Sequence, residues 1–253
     1  MSNQLTTNEK NYLTDNFRIL DNVSTEELVP LEKLVDASFV EQYLIEMKNI
    51  LNTDYNFVAA SQLMKRIGFV MTIPALYTMT IYNKKVNMSL ANLSLVTKYK
   101  DGIWVPHLFI NDLSVEEQSD HDRLIWRQRT VEELFKNLSQ LITCLSAVSK
   151  VPRPILWENV AIYVYWLYET KINEETENQS NLESDFHYLI QDAPGHLFDE
   201  SRNPLQMFYR PKKEDEEIRV RRTCCFYYAL HVDGTCCSTC PKSKQELKKS
   251  PIF

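Results

Sequence analysis

Residues 93–109 read LSLVTKYKDGIWVPHLF, and here the hydrophobic period of the chain changes. Leu93, Leu95, Thr97 and Tyr99 alternate with other residues; Asp101-Gly102 intervenes; Ile103, Val105, His107 and Phe109 then alternate again. Period two on both sides of an Asp-Gly pair is the pattern of a β-hairpin, whose turn needs the positive φ that glycine supplies cheaply. On either side of this hairpin the period is helical.

Toward the amino terminus, Phe39, Val40, Tyr43, Leu44, Met47, Ile50 and Leu51 fall on one helical face, and Ser38 and Glu41 have the spacing of a capping box. Residues 55–66 predict a second helix. The apolar run 67–82 that follows has no readable period and contains Pro74. It is shorter than the roughly 18–20 residues of a membrane span, so it predicts a buried segment. The first twenty or so residues are polar and read as loosely ordered. Toward the carboxyl terminus, Thr130 and Glu133 form a second capping-box pattern ahead of Leu134, Phe135, Leu138, Leu141, Ile142 and Leu145. Pro152 and Pro154 interrupt, and residues 155–171 predict a third strong helix carrying Trp157, Tyr163, Tyr165, Trp166 and Tyr168. Residues 172–184 are acidic and polar and read as a surface loop. The expected fold class is mainly helical α+β, with a helical domain and a small antiparallel sheet in residues 1–209 and a short carboxyl-terminal segment in residues 210–253.

Composition narrows the function. The chain has 253 residues, 44% hydrophobic and 11% aromatic, enough for a real core and against wholesale disorder. A net charge of −6 argues against a general nucleic-acid binder. There are four glycines, Gly68, Gly102, Gly195 and Gly234, too dispersed for a Rossmann fingerprint, a phosphate-binding P-loop or a nucleophile elbow. The amino terminus lacks an apolar signal region, so a cytoplasmic protein is expected, with any membrane contact peripheral.

The tail differs in charge. Residues 210–253 hold ten Lys/Arg and six Asp/Glu, a local net of +4, and open with RPKKEDEE at 210–217, which reads as a solvated linker. Five of the six cysteines lie here: Arg221-Arg222-Thr223-Cys224-Cys225, an eleven-residue spacer, then Cys237-Ser238-Thr239-Cys240-Pro241, with Cys236 preceding the second pair and Cys144 far upstream. In a reducing compartment such density asks for something other than disulfides. Clustered thiolates repel one another, and a bound cation reverses this by deprotonating them. Adjacent side chains diverge on a strand or a helix, so Cys-Cys converges badly on one zinc ion and better on a wider two-iron cluster. Spacing alone leaves [2Fe–2S], zinc and an unmetallated redox thiol cluster open. Residues 226–232 read as a strand and Asp233-Gly234 as a second hairpin turn, which would bring the two cysteine pairs to one end. Only Cys237 makes a C-x-x-C with Cys240, so Cys236 is read as a spectator.

The tail motif resembles that of the FhuF-type ferric siderophore reductases, with Leu156-Trp157-Glu158-Asn159 a weaker further match. The spacer is one residue longer than the family pattern, and Cys236 occupies the expected third position. The resemblance implies a [2Fe–2S] cluster held by Cys224, Cys225, Cys237 and Cys240, making 210–253 the cluster-binding segment. It also implies one-electron reduction of Fe(III) in an imported siderophore of the hydroxamate class, releasing Fe(II). Without a nucleotide fingerprint, the expected donor is a separate reduced partner such as a ferredoxin or flavoprotein. Arg221, Arg222 and Lys242 flank the ligands and would offset charge gained on reduction. Trp104, His107, Trp126, Arg127, Arg129, Trp157 and Trp166 are candidate siderophore-pocket residues by type, although aromatics at helical spacing are commonly packing. The histidines His107, His121, His187, His196 and His231 show no metal-ligand spacing, and His231, near the cysteines, is a candidate hydrogen-bond donor to the site. The competing readings are a non-enzymatic siderophore- or iron-binding module with a zinc-stapled tail, and an iron or redox sensor.

Overall fold

The computed structural model describes residues 4–23, 28–118, 123–173, 180–211, 219–242 and 249–250. The chain begins with α1 (Thr7–Phe17), β1 (Ile19–Leu20) and β2 (Leu28–Pro30), then α2 (Ala37–Leu51) and α3 (Asn56–Ile81). Six short strands follow: β3 (Lys84–Val86), β4 (Leu93–Val96), β5 (Tyr99–Lys100), β6 (Ile103–Trp104), β7 (His107–Ile110) and β8 (Val115–Glu117). After them come α4 (Arg123–Ser149), α5 (Arg153–Trp166), α6 (Ser180–His187), α7 (Pro204–Phe208), β9 (Cys236–Cys237) and β10 (Lys249–Ser250). The fold is mainly helical α+β, as the periodicity predicts.

The hairpin forms where its sequence places it. β4 and β7 pair antiparallel from Leu93↔Ile110 to Val96↔His107, and β5 and β6 pair at the tip. Asp101 and Gly102 both take positive φ, 51° and 76°, as a two-residue hairpin turn requires. β2 adds antiparallel to β4, and β1 adds parallel to β7, so the sheet runs β1-β7-β4-β2 with one parallel edge.

At the centre stands α3. From Val58 to Thr80 every residue except Arg66 is buried. α2, α4 and α5 pack around it. A helix covered on all sides has no polar face and hence no period to read, which is why residues 67–82 resist assignment from sequence. Pro74 lies within the helix without ending it. The ring removes one backbone hydrogen bond, and burial against neighbouring helices holds the segment helical through it. Among the described residues no helix is long and apolar enough to cross a membrane.

Several boundaries depart from the sequence reading. Residues 7–17 are an ordered helix: Thr6 accepts a hydrogen bond from the Glu9 N–H at 3.3 Å, and Glu9 accepts from the Thr6 N–H at 2.7 Å. This Thr-x-x-Glu box is as strong a signal as the one expected at Ser38. α2 is capped by Asp36, whose carboxylate accepts from the Phe39 N–H at 2.8 Å, so Ser38 falls inside the helix. α4 begins upstream of Thr130, and the Thr130 hydroxyl donates to the Trp126 carbonyl at 2.8 Å instead of capping. Ser180 to Ser184, expected in a loop, open α6; residues 174–179 of that expected loop lie outside the described residues, as does the 212–217 part of the expected linker.

Tertiary pairing starts α4. The fully buried Asp185 of α6 accepts from Arg123 through two bonds of 2.6 Å, from Arg127 at 3.2 Å and from the Thr80 hydroxyl at 3.0 Å. Removing one member of a buried charged network strands the rest. Asp185→Ala is expected to cost about 3–5 kcal/mol of stability, read as a lowered urea midpoint with an unchanged slope. A loss within the range of an exposed substitution would show that the network carries no weight.

Candidate metal centre

The tail cysteines sit on a short irregular stretch. Phe226 takes a left-handed conformation, φ 63°, and packs edge-on against Phe57 with ring centroids 5.0 Å apart. Residues Tyr227–Leu230 then form a 3-10 turn, so the strand expected over 226–232 does not form. Contact with the helical body overrides its β-like composition. The Asp233-Gly234 turn does form: the Gly234 N–H donates to the His231 carbonyl at 3.0 Å, with Gly234 at φ 69°. It leads into β9, which pairs with β10. The Arg221 N–H donates to the Thr239 carbonyl at 2.9 Å, tying the two halves of the motif together.

Thiols from both halves meet. Cys225 Sγ lies 3.5 Å from Cys237 Sγ. Cys225, Cys236, Cys237 and Cys240 form one buried cluster lined by Tyr227 and Tyr228, while Cys224 is half-buried beside it. Cys236, read as a spectator from spacing, lies in the same buried cluster. The Phe226 N–H donates to Cys224 Sγ and the Lys242 N–H to Cys240 Sγ, both at 3.4 Å. Backbone donors aimed at sulfur favour the thiolate form.

The protonation balance is uneven. The hydrogen bond with Cys237 holds the Cys225 thiol well below the usual thiol range, helped by Lys65 and Arg221, and the same bond drives Cys237 upward. Burial pushes Cys236 up to about 11 and also raises Cys224. The bare thiols therefore resist ionising together, which a bound cation would reverse.

Two helices of the body anchor this segment. From α3, the Ser61 hydroxyl and Gln62 Nε2 both donate to the Cys225 carbonyl, at 3.0 and 2.7 Å. From α5, Asn159 Nδ2 donates to Ser61 Oγ and to its carbonyl, at 3.0 and 2.9 Å. The buried Glu158 carboxylate accepts the N–H groups of Arg222 and Thr223, both at 2.6 Å, and the Thr223 hydroxyl. Arg221 Nε lies 3.7 Å from the same carboxylate. Glu158 and Asn159 belong to the second stretch quoted above for its resemblance, and here they hold the cysteine-bearing segment in place.

Buried cations surround the sulfurs. Lys65 of α3 is 7% exposed, stands 5.5 Å from the centre of the Tyr227 ring, and interacts with Cys225 and Cys237. The Arg221 side chain is fully buried, and none of its three guanidinium nitrogens finds a hydrogen-bond acceptor among the described residues. Of the flanking cations named from sequence, Arg221 is thus inside, Arg222 is exposed, and Lys242 is exposed with its Nζ 3.2 Å from the Tyr228 hydroxyl. The His231 ring lies tilted against Tyr227, centroids 4.7 Å apart, and its buried Nε2 has no partner among the described residues. Lys65 was missed from sequence, although a Lys-Arg pair inside an apolar helix is a signal, since buried lysine is rare unless paired.

The candidate pocket residues scatter. Trp104, Trp126 and Trp157 are buried in the core, Arg127 is bound to Asp185, and Arg129 is exposed, 3.6 Å from Glu116. His107 and Trp166 alone among them share a surface cleft. Cys144 is buried in the helical core, apart from the tail cysteine cluster, and His121 lies outside the described residues.

Among the described residues, no three His, Cys, Asp or Glu side chains are arranged around a single-ion site. An anionic group with several sulfur ligands would find the buried cations Lys65 and Arg221 beside these thiols. The thiols of Cys225 and Cys237 meet, and Cys236 and Cys240 lie in the same buried cluster. Arg221 and His231 lack the acceptor that such a group would offer.

No family model matches the chain, and no curated protein matches it. Among solved structures, aerobactin synthetase IucC from a hypervirulent pathotype of Klebsiella pneumoniae is similar over 73% of this chain and 37% of that one, at 12% identity and a TM-score of 0.43. This chain thus matches little more than a third of that protein's length.

Glu158→Ala removes the acceptor for two backbone N–H groups. It is expected to raise the rate at which the tail thiols react with a chromophoric disulfide, and to speed proteolysis between residues 209 and 224. Unchanged rates for both would show that Glu158 does not anchor the tail.

Proposed function

We propose that the chain is a one-electron ferric-chelate reductase, with a [2Fe–2S] cluster held by Cys224, Cys225, Cys237 and Cys240 in segment 210–253, carried on the body formed by residues 1–209. The observation that supports this reading best is the meeting of thiols from both halves of the motif beside two buried cations, Lys65 and Arg221, one of which lacks a hydrogen-bond acceptor. When bound, such a cluster supplies a single electron at a potential tuned by charge, hydrogen bonds and solvent exposure.

The residues of the chain then divide the work. Lys65 and Arg221 offset the negative charge of four thiolates and favour the arrival of one more. Ser61, Gln62 and Asn159 fix the Cys225 backbone, and Glu158 fixes Arg222 and Thr223. Tyr227 and Tyr228 cover the thiols and keep water from most of them. The substrate is Fe(III) in a siderophore of the hydroxamate class. Fe(III) is a small hard cation that favours oxygen ligands. One electron converts it to Fe(II), lowers its charge density and loosens every bond to the chelating oxygens. That electron enters from a separate reduced protein of the ferredoxin or flavoprotein class, in the cytoplasm.

Anaerobic purification with iron and sulfide analysis tests the assignment. Equal amounts of iron and inorganic sulfide, and an EPR signal on reduction, are expected; a colourless divalent ion with no sulfide would overturn it. Serine at Cys224, Cys225, Cys237 or Cys240 should abolish the cluster, while Cys144→Ser should spare it. Cluster retained in Cys237→Ser and lost in Cys236→Ser would transfer the ligand role to Cys236. Lys65→Met should lower the midpoint potential with iron content intact. A midpoint equal to or above the wild type would remove Lys65 from the electrostatics of the site.

A further inference from the structure

A cleft of about 470 Å³ opens between the end of α1, the tip of the hairpin, and α5. Its size is that of a small-ligand pocket, on the order of 300–1,000 Å³. Arg18, Lys100 and Lys171 line it against a single carboxylate, Asp15. A local net of +2 in a chain of net −6 concentrates anions at this point of the surface.

Arg18 is the unusual member. It caps the end of α1 in a left-handed conformation, φ 61°. Its carbonyl accepts from the Leu108 N–H at 2.9 Å, which pins the backbone to β7. Its half-buried guanidinium lies 4.6 Å from the centre of the Phe69 ring and makes no hydrogen bond and no ion pair among the described residues. A guanidinium presents a planar fork that matches a carboxylate. Trp166 and Phe69 add aromatic walls.

The same helix serves both sites. On α3, Ser61 and Gln62 hold the Cys225 carbonyl, and Phe69, further along the helix, forms a wall of the cleft. Ser61 and Phe69 are about 12 Å apart along α3 at the helical rise.

We infer that this cleft is the substrate site and that it takes a ferric chelate bearing at least one free carboxylate, gripped by Arg18 and drawn in by Lys100 and Lys171. The chelate as ligand rests on the electron-transfer reading above; the preference for carboxylate rests on the cleft itself.

A redox-inert probe separates the two. The gallium(III) complex of a linear trihydroxamate is titrated by calorimetry into the whole protein, once with a free terminal carboxylate and once with that group converted to a carboxamide. The carboxylate form should bind at least ten-fold more tightly. Arg18→Ala should remove most of this preference, and Lys100→Ala, on the exposed hairpin tip, should reduce it several-fold. Equal binding of the two complexes, or a preference untouched by both variants, overturns the inference. A preference that persists in protein shown to contain no iron–sulfur cluster keeps the cleft assignment and removes the reductase. Turnover by a cluster-loaded enzyme that binds neither complex does the reverse.

Discussion

The buried carboxylate of Glu158 holds residues 221–223, and with them the cysteine-bearing segment, against α5. A buried charge is tolerated where it is paired and hydrogen-bonded. Glu158 meets that requirement through groups that all belong to residues 221–223. Residues 219–242 are too few to bury a core of their own. Without the carboxylate, Arg221 would lose its ion-pair partner, and two backbone donors and the Thr223 hydroxyl would lose their acceptor. The order of the thiol site is thus borrowed from α5 and, through Ser61 and Gln62, from α3.

This dependence explains which parts of the structure were legible in the sequence. The hairpin was readable because it is local: period two and an Asp-Gly turn specify it without help from distant residues. α2 and most of α5 were readable from clusters of apolar and aromatic residues. α3 was only half-readable, since a helix buried on every side offers no contrast between faces. The early start of α4 was invisible because Asp185, far along the chain, holds its first turns. α1 was an oversight of a different sort, as Thr6 and Glu9 state the capping box openly.

The cysteine site divides in the same way. That the two halves of the motif would meet was legible from their spacing and the turn between them. How they meet was not: Phe226 packs on Phe57, the expected strand gives way to a 3-10 turn, and Cys236 joins the group. Nor was it legible that Arg221 turns inward while its neighbour Arg222 faces water, for adjacent identical residues carry no sign of which is buried. Lys65 and Glu158 were likewise beyond a reading of the tail, because they come from the body and are opposite in charge to what they meet.

The ribbon of β5 and β6 pairs with no other strand among the described residues, yet it carries Tyr99 and Lys100 to the rim of the cleft. Its exposed positions Tyr99, Lys100 and Ile103 can therefore vary without disturbing the helical scaffold, whereas Trp104 is held in the core. The chemistry at the rim of the cleft is thus separable from the packing that holds the cysteine-bearing segment on α3 and α5.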